Sequence, residues 1–336
     1  MGRALAAGIV ICVAVALAAC SGPAVPGRVG PEPAPEAVST TAPPEAADGA
    51  AAEPAPLRGW TYPESDVPRV GDHAPLPAEW WNPGRIVSDE NFFDADAMTA
   101  EEIQRFLDEQ VPYCATWHAP TGRDVDSGWP YRCLGDRSWE VPYLDEVGDD
   151  GSRYCDPIEP VERASSAEVI ALVARACEIS PRTLLVTLEK EQGLVTDRWP
   201  WEIQFQAAMG YACYDSAPCL DAYGGFVKQV YHAARTYQMY VQRPERFNYQ
   251  PYRANEILYA PGCEAGTVMI ENAATAALYD YTPYQPNPQV LAGSTSADCS
   301  AFGNYNFWRL WFYWFGDPLA APGEGRAFPL RPRPAD

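Results

Sequence analysis

Eight cysteines lie between Cys114 and Cys299, and the first 22 residues ahead of them read as an export leader. Arg3 precedes an uncharged, apolar run from Ala4 to Ala19, which is the layout of a secretory signal. An even number of cysteines in an exported chain reads as disulfides, and no other feature limits the possible folds as strongly. Eight cysteines allow on the order of 100 connectivities. Proximity along the chain favours Cys114 with Cys133, Cys155 with Cys177, Cys213 with Cys219, and Cys263 with Cys299. The first, second and fourth would brace loops against helices. The third would clamp the turn after Ala208-Met209-Gly210.

The leader ends Leu17-Ala18-Ala19-Cys20, which resembles the lipobox of bacterial lipoproteins. That resemblance implies cleavage before Cys20, lipidation of Cys20, and a membrane anchor facing the cell wall. An uncleaved anchor fits less well, because a span takes roughly 20 apolar residues and this run is shorter. Residues 1–20 are therefore expected to be a lipoprotein signal peptide. Residues 21–58 form an Ala/Pro-rich tether, with nine prolines and no aromatic residue from Ser21 to Leu57. Such a composition buries no core, and in polyproline-like geometry it reaches on the order of 100 Å. Residues 59–85 read as an extended segment that wraps over the domain with Trp60, Trp80 and Trp81. The foldable domain spans 86–318, which is one domain's worth of chain. Residues 319–336 are Pro- and Arg-rich and read as a disordered tail.

Within the domain, helical patterns dominate. Thr99 with Glu102, and Ser165 with Glu168, form capping boxes that open helices running to about Glu109 and Cys177. Asp94 and Asp96 fail the spacing of a calcium loop. Cys114 to Cys155 is rich in Gly, Pro and Asp and is expected to be irregular, forming one wall of a cleft. Phe226, Val230, Ala234, Tyr237 and Val241 mark a helix from about Gly225 to Gln242. Glu256 to Tyr259 and Thr267 to Ile270 read as a short hairpin, and Asn272 to Tyr281 as a further helix. Phe307, Trp308, Trp311, Phe312 and Phe315 recur at helical spacing and are taken as core.

The stretch from Ser180 to Met209 carries the chemistry. Ser180 suits an N-cap, Pro181 suits the first helical position, and Gly193 supplies a left-handed stop, so a helix is expected over Pro181 to Gln192. At 100° per residue Leu184, Leu185 and Leu188 share a buried stripe. Glu191 falls at one edge of it and Glu189 at the opposite edge, nearer solvent. A half-buried carboxylic acid can hold its proton and act as general acid, although on spacing alone a Glu in the last turn of an amphipathic helix is more often a solvated flank residue.

Three local motifs add a resemblance. Glu191-Gln192-Gly193-Leu194 resembles the Glu-Ser-x-Phe signature of lytic transglycosylases and goose-type lysozymes. Ala208-Met209-Gly210-Tyr211 resembles their Gly-Leu-Met-Gln turn, and Ala276 to Tyr281 is similar to the segment that places a tyrosine beside the catalytic acid. From about Asn91 to Gly316 the chain also resembles a group of secreted, mostly uncharacterised bacterial proteins sharing Lys-Glu-Gln-Gly-Leu-Val and Tyr-Thr-Pro-Tyr-Gln-Pro-Asn. The resemblance implies a mainly α, lysozyme-like helical domain with loop-rich, disulfide-braced insertions and at most a small β-hairpin. It implies a peptidoglycan lytic transglycosylase or glycoside hydrolase with Glu191 and Tyr281 as catalytic residues. Met209, Gly210 and Tyr211 would line the saccharide subsites. Asp197 and Asp215 are the nearest candidates for a second carboxylate, which hydrolysis would favour. The other reading is a non-catalytic envelope module that binds glycan or a protein partner.

Other chemistries find little support. The formal charge of -21 and the lack of a basic stripe argue against nucleic acid. His73, His118 and His232 form no ligand pair, so no metal or cofactor is expected. The expected partners are peptidoglycan glycan strands and, through Cys20, the membrane.

Overall fold

The computed structural model describes residues 76–116, 132–148, 150–213, 222–294 and 298–322. The leader with Cys20, the Ala/Pro-rich stretch, Trp60, Asp215, Cys219 and the tail beyond residue 322 lie outside them. In chain order the described residues form α1 (Asp89–Phe92), α2 (Ala100–Gln110), β1 (Ser138–Val141), β2 (Val161–Ser165), α3 (Ser166–Ala176) and α4 (Pro181–Gln192). They continue with α5 (Glu202–Gln206), α6 (Phe226–Gln242), β3 (Arg253–Leu258), β4 (Ala265–Ile270), α7 (Ala273–Tyr281), α8 (Pro288–Leu291) and α9 (Gly303–Phe315).

The expected class, a mainly α lysozyme-like domain with at most one hairpin, is not what forms. Two separate two-stranded antiparallel sheets stand beside the helices, which makes the class mixed α and β. The hairpin β3–β4 was expected, and it pairs from Arg253↔Ile270 to Leu258↔Ala265. The other sheet falls partly in the stretch expected to be irregular. There β1 pairs with β2 through Ser138↔Ser165 and Val141↔Val161, and isolated bridges at Leu144↔Ile158 and Val147↔Arg153 prolong the pairing. Its inner face is Val141, Leu144, Ile158 and Ala164, all buried, while Ser138, Glu140, Glu162 and Arg163 face solvent. Pairing between short charged strands more than 20 residues apart is set by tertiary contacts, and so leaves little local signal.

The helices follow from their ends. Thr99 Oγ1 accepts from the Glu102 N–H at 3.2 Å and Glu102 Oε2 accepts from the Thr99 N–H at 2.9 Å, closing the first capping box. Ser165 and Glu168 repeat it on α3. The ends of α4 are those expected, with Pro181 in its first turn and Gly193 in the left-handed conformation at φ 66°. Ser180 sits at the N-cap, but its hydroxyl makes no capping bond.

Burial explains where α4 lies. Pro181, Thr183, Leu184, Leu185, Val186, Thr187, Leu188 and Glu189 are all buried, so α4 is enclosed on most sides and is more than a one-striped surface helix. It packs against α9, whose Phe307, Trp308 and Trp311 are buried as expected. Each fully buried leucine contributes roughly 1.5–3 kcal/mol. Trp81 joins this core edge-on to Tyr305 and Trp308, and Trp80 stacks on Phe312.

Three expected disulfides form: Cys114–Cys133, Cys155–Cys177 and Cys263–Cys299. Cys213 is also disulfide-bonded, while the expected partner Cys219 lies outside the described residues. The two ends of the domain meet. The Ser88 N–H donates to the Pro318 carbonyl at 3.0 Å, and Asn91 Nδ2 donates to the carbonyls of Pro318 and Ala320. Among the described residues no helix is long and apolar enough to cross a membrane.

Candidate functional site

The last turn of α4 sets Glu191 at a half-buried position, with its side chain 24% exposed. Its carboxylate faces Gly210, where an added Cβ would stand 3.0 Å from Oε2. Gly210 also has φ 71°, so both the backbone and the carboxylate require glycine there. Neighbouring residues on a helix project away from one another, yet the Lys190 stem folds back and its ammonium pairs with Glu191 Oε1. The Lys190 side chain is only 5% exposed; its ammonium also donates to Thr282 Oγ1 at 2.8 Å and lies 5.4 Å from the Tyr281 ring centroid.

Tyr281 arrives from the end of α7. Its hydroxyl donates to the Met209 carbonyl, and its ring stacks on Tyr237 at 4.7 Å. Burial holds its hydroxyl well above the usual phenol range, and the nearby Tyr237 and Glu191 push it the same way, so Tyr281 stays a donor. Tyr237 in turn lies 3.2 Å from Thr187 Oγ1 on α4. The three quoted motifs, about 90 residues apart at the extremes, therefore meet around one carboxylate.

Met209, Gly210 and Tyr211 owe their shape to Gln229, a fully buried residue of α6. Gln229 Oε1 accepts from the N–H groups of Met209 and Tyr211 at 3.2 and 3.1 Å, while Nε2 donates to the carbonyls of Tyr211 and Tyr223. An amide one residue before Val230, on the inward side of α6, is the signal by which sequence reading could have found it. Met209 is itself buried, so its backbone and not its side chain serves the site. The Tyr211 ring stacks on His232 at 5.0 Å. Burial, reinforced by Arg235 and Lys228, lowers His232 to about 4, and its Nε2 lies 3.5 Å from Glu146 Oε1.

One carboxylate differs from expectation. Glu189 is buried at 7% exposure, not nearer solvent. It accepts from the Val195 and Thr196 N–H groups, both at 3.0 Å, and from the Thr196 hydroxyl at 2.7 Å, because the chain turns at Gly193 and doubles back over that helix edge. Burial raises its pKa against those hydrogen bonds. Asp197 accepts from the Trp199 N–H and from Gln204 Nε2, both at 2.8 Å, and so braces its own loop. The sulfurs of Cys114 and Cys133 cluster with Asp136, but their disulfide leaves no thiolate for a metal. A cleft of about 500 Å³ lined by Phe93, Asp94, Asp96, Glu178 and Gln238 does not include Glu191.

A disulfide-braced mixed α and β domain, with one half-buried glutamate at the meeting point of three distant segments, describes the chain's class. The model of the LasA N-terminal domain family matches residues 85–319, and the chain belongs to that family. Membership makes it a secreted, peptidoglycan-related protein of the LasA kind. No curated protein and no solved structure matches it.

Proposed function

We propose that the protein acts on the glycan strands of peptidoglycan, with Glu191 as the single acid and base, and that a lipid on Cys20 holds it at the membrane facing the wall. The observation that carries this reading is the convergence of Glu191, Gly210 and Tyr281. It supports the local likeness to lytic transglycosylases, although the fold is not a mainly α one. In this reading Glu191 protonates the oxygen between two amino sugars as the bond breaks through an oxocarbenium-like state. The resulting carboxylate then takes a proton either from the sugar's own 6-hydroxyl, giving an anhydro product, or from water. The turn at Met209, Gly210 and Tyr211 lines the subsites, and Tyr281 is a positioning residue that ties this turn to α7.

A second reading, a non-catalytic module that binds glycan or a protein partner, is favoured by a different observation. Lys190 pairs with Glu191, the Tyr281 hydroxyl is spent on a backbone carbonyl, and Glu189 and Asp197 both brace loops. Digestion of purified peptidoglycan, with mass spectrometry of the products, separates the two. Anhydro-muropeptides or new reducing ends from the wild type, lost in a folded Glu191→Gln, establish the enzyme. No release by disulfide-intact wild type, with retained binding to sacculi, establishes the module.

A further inference from the structure

Trp201 stands at the N-cap of α5, between α4 and the Met209 turn, and is 43% exposed. An exposed tryptophan is not unusual, but its anchoring is. Its backbone N–H donates to Gln204 Oε1 at 2.7 Å. Gln204 Nε2 donates at 2.9 Å to the Gln192 carbonyl, one residue from Glu191, and at 2.8 Å to Asp197 Oδ2. One glutamine thus fastens the backbone that carries an exposed indole to the turn that carries the candidate acid. Ile203, on the same short helix, is also exposed at 59%. Tyr113, exposed at 50%, is tied to this stretch by Arg198, whose Nε donates to its carbonyl at 3.1 Å and whose guanidinium lies 5.8 Å from its ring centroid.

An indole carried on an anchored backbone offers a large flat surface at small cost in side-chain entropy, together with one N–H donor. That combination suits a pyranose ring, which shows a face of C–H groups and an edge of hydroxyls. Gln204 ties the Trp201 backbone to the turn beside Glu191, which makes the strand addressed by that carboxyl the fitting occupant; the nearby carboxylates Asp197 and Glu202 already accept from Trp199, Gln204 and Gln206. We propose that Trp201 is a stacking platform for an N-acetylated amino sugar of the same glycan strand that Glu191 addresses. The proposal rests on the glycan reading given above, and it adds a binding residue that none of the three motifs contains.

Calorimetric titration of the purified, disulfide-intact protein with a β-1,4-linked hexamer of N-acetylglucosamine tests it. Trp201→Ala should weaken binding about tenfold and Trp201→Phe by less, with melting temperatures unchanged because the ring is exposed. If Trp201→Ala melts early, Trp201→Phe alone decides: a loss of affinity at wild-type stability sustains the platform. Equal affinity of wild type and Trp201→Ala overturns the platform and leaves the glycan reading standing. No binding by wild type to the hexamer or to sacculi overturns both.

Discussion

At the scale of the residue, Gly210 and Gln229 shape the site as much as Glu191 does. Replacing Gly210 by alanine forces an L residue to φ 71° and puts a methyl 3.0 Å from Glu191 Oε2. The expected cost is about 2 kcal/mol, with Glu191 displaced; thermal melting and peptidoglycan binding of Gly210→Ala check it. Gln229→Leu strands two N–H groups and two carbonyls, and should cost about 3 kcal/mol or more in a denaturant titration. Two other residues pull against each other with pH. His232 falls from 6.5 to about 4 on folding, so the unfolded chain takes up its proton first, and stability is lost as pH drops from 6.5 towards 4. Asp280, whose carboxylate accepts from the Tyr249 N–H, is raised by burial from 3.8 to about 7, so stability is lost as pH climbs from 3.8 towards 7. Each amounts to a few kcal/mol, and between pH 4 and 6.5 the two act with opposite sign. His232→Gln should therefore make stability fall with rising pH across that window, and Asp280→Asn should make it rise. Unfolding titrations at pH 4.5, 5.5 and 6.5 would show two opposite slopes, and parallel slopes would refute the pairing.

At the scale of the element, what could be read in advance was what is locally encoded. Both capping boxes, the ends of α4, the hairpin β3–β4, and helices α6, α7 and α9 rest on caps, glycine stops or periodic apolar residues within one window. The sheet β1–β2 does not, since Ser138 to Val141 offers one buried residue in four. The same contrast holds for the site. Glu191 and Gly210 were visible through motifs, whereas Lys190, Thr282 and Gln229 act through contacts that no spacing announces. Glu189 was misplaced because its environment comes from residues 194–196 doubling back, which helical periodicity cannot see. The Cys155–Cys177 bridge links the strand region to the end of α3, and it is backed by the Asp156 N–H bond to the Ala176 carbonyl. Replacing both cysteines by serine should cost about 3 kcal/mol and speed hydrogen exchange at Leu144 and Ile158 ahead of α4. Uniform acceleration across the domain would show that the sheet is not a separable layer.

At the scale of the whole molecule, the net charge of -21 sets the working conditions of a secreted, peptidoglycan-related protein. A wall polymer that also carries carboxylates repels such a surface, so binding to sacculi should strengthen as salt rises from 20 to about 150 mM, the range over which exposed charges become screened. Co-sedimentation with sacculi at the two salt levels measures it, and weaker binding at the higher level would mean that attraction between opposite charges dominates. The meeting of Ser88 and Asn91 with Pro318 and Ala320 has a mechanical consequence. Tension from the N-terminal side must first peel residues 80–86 from α7 and α9, where Trp81 packs on Trp308 and the Ile86 N–H donates to Thr275 Oγ1, before it reaches this clasp. Force from the C-terminal side meets the clasp directly. The domain is held like a parcel whose two cords are tied at the same place.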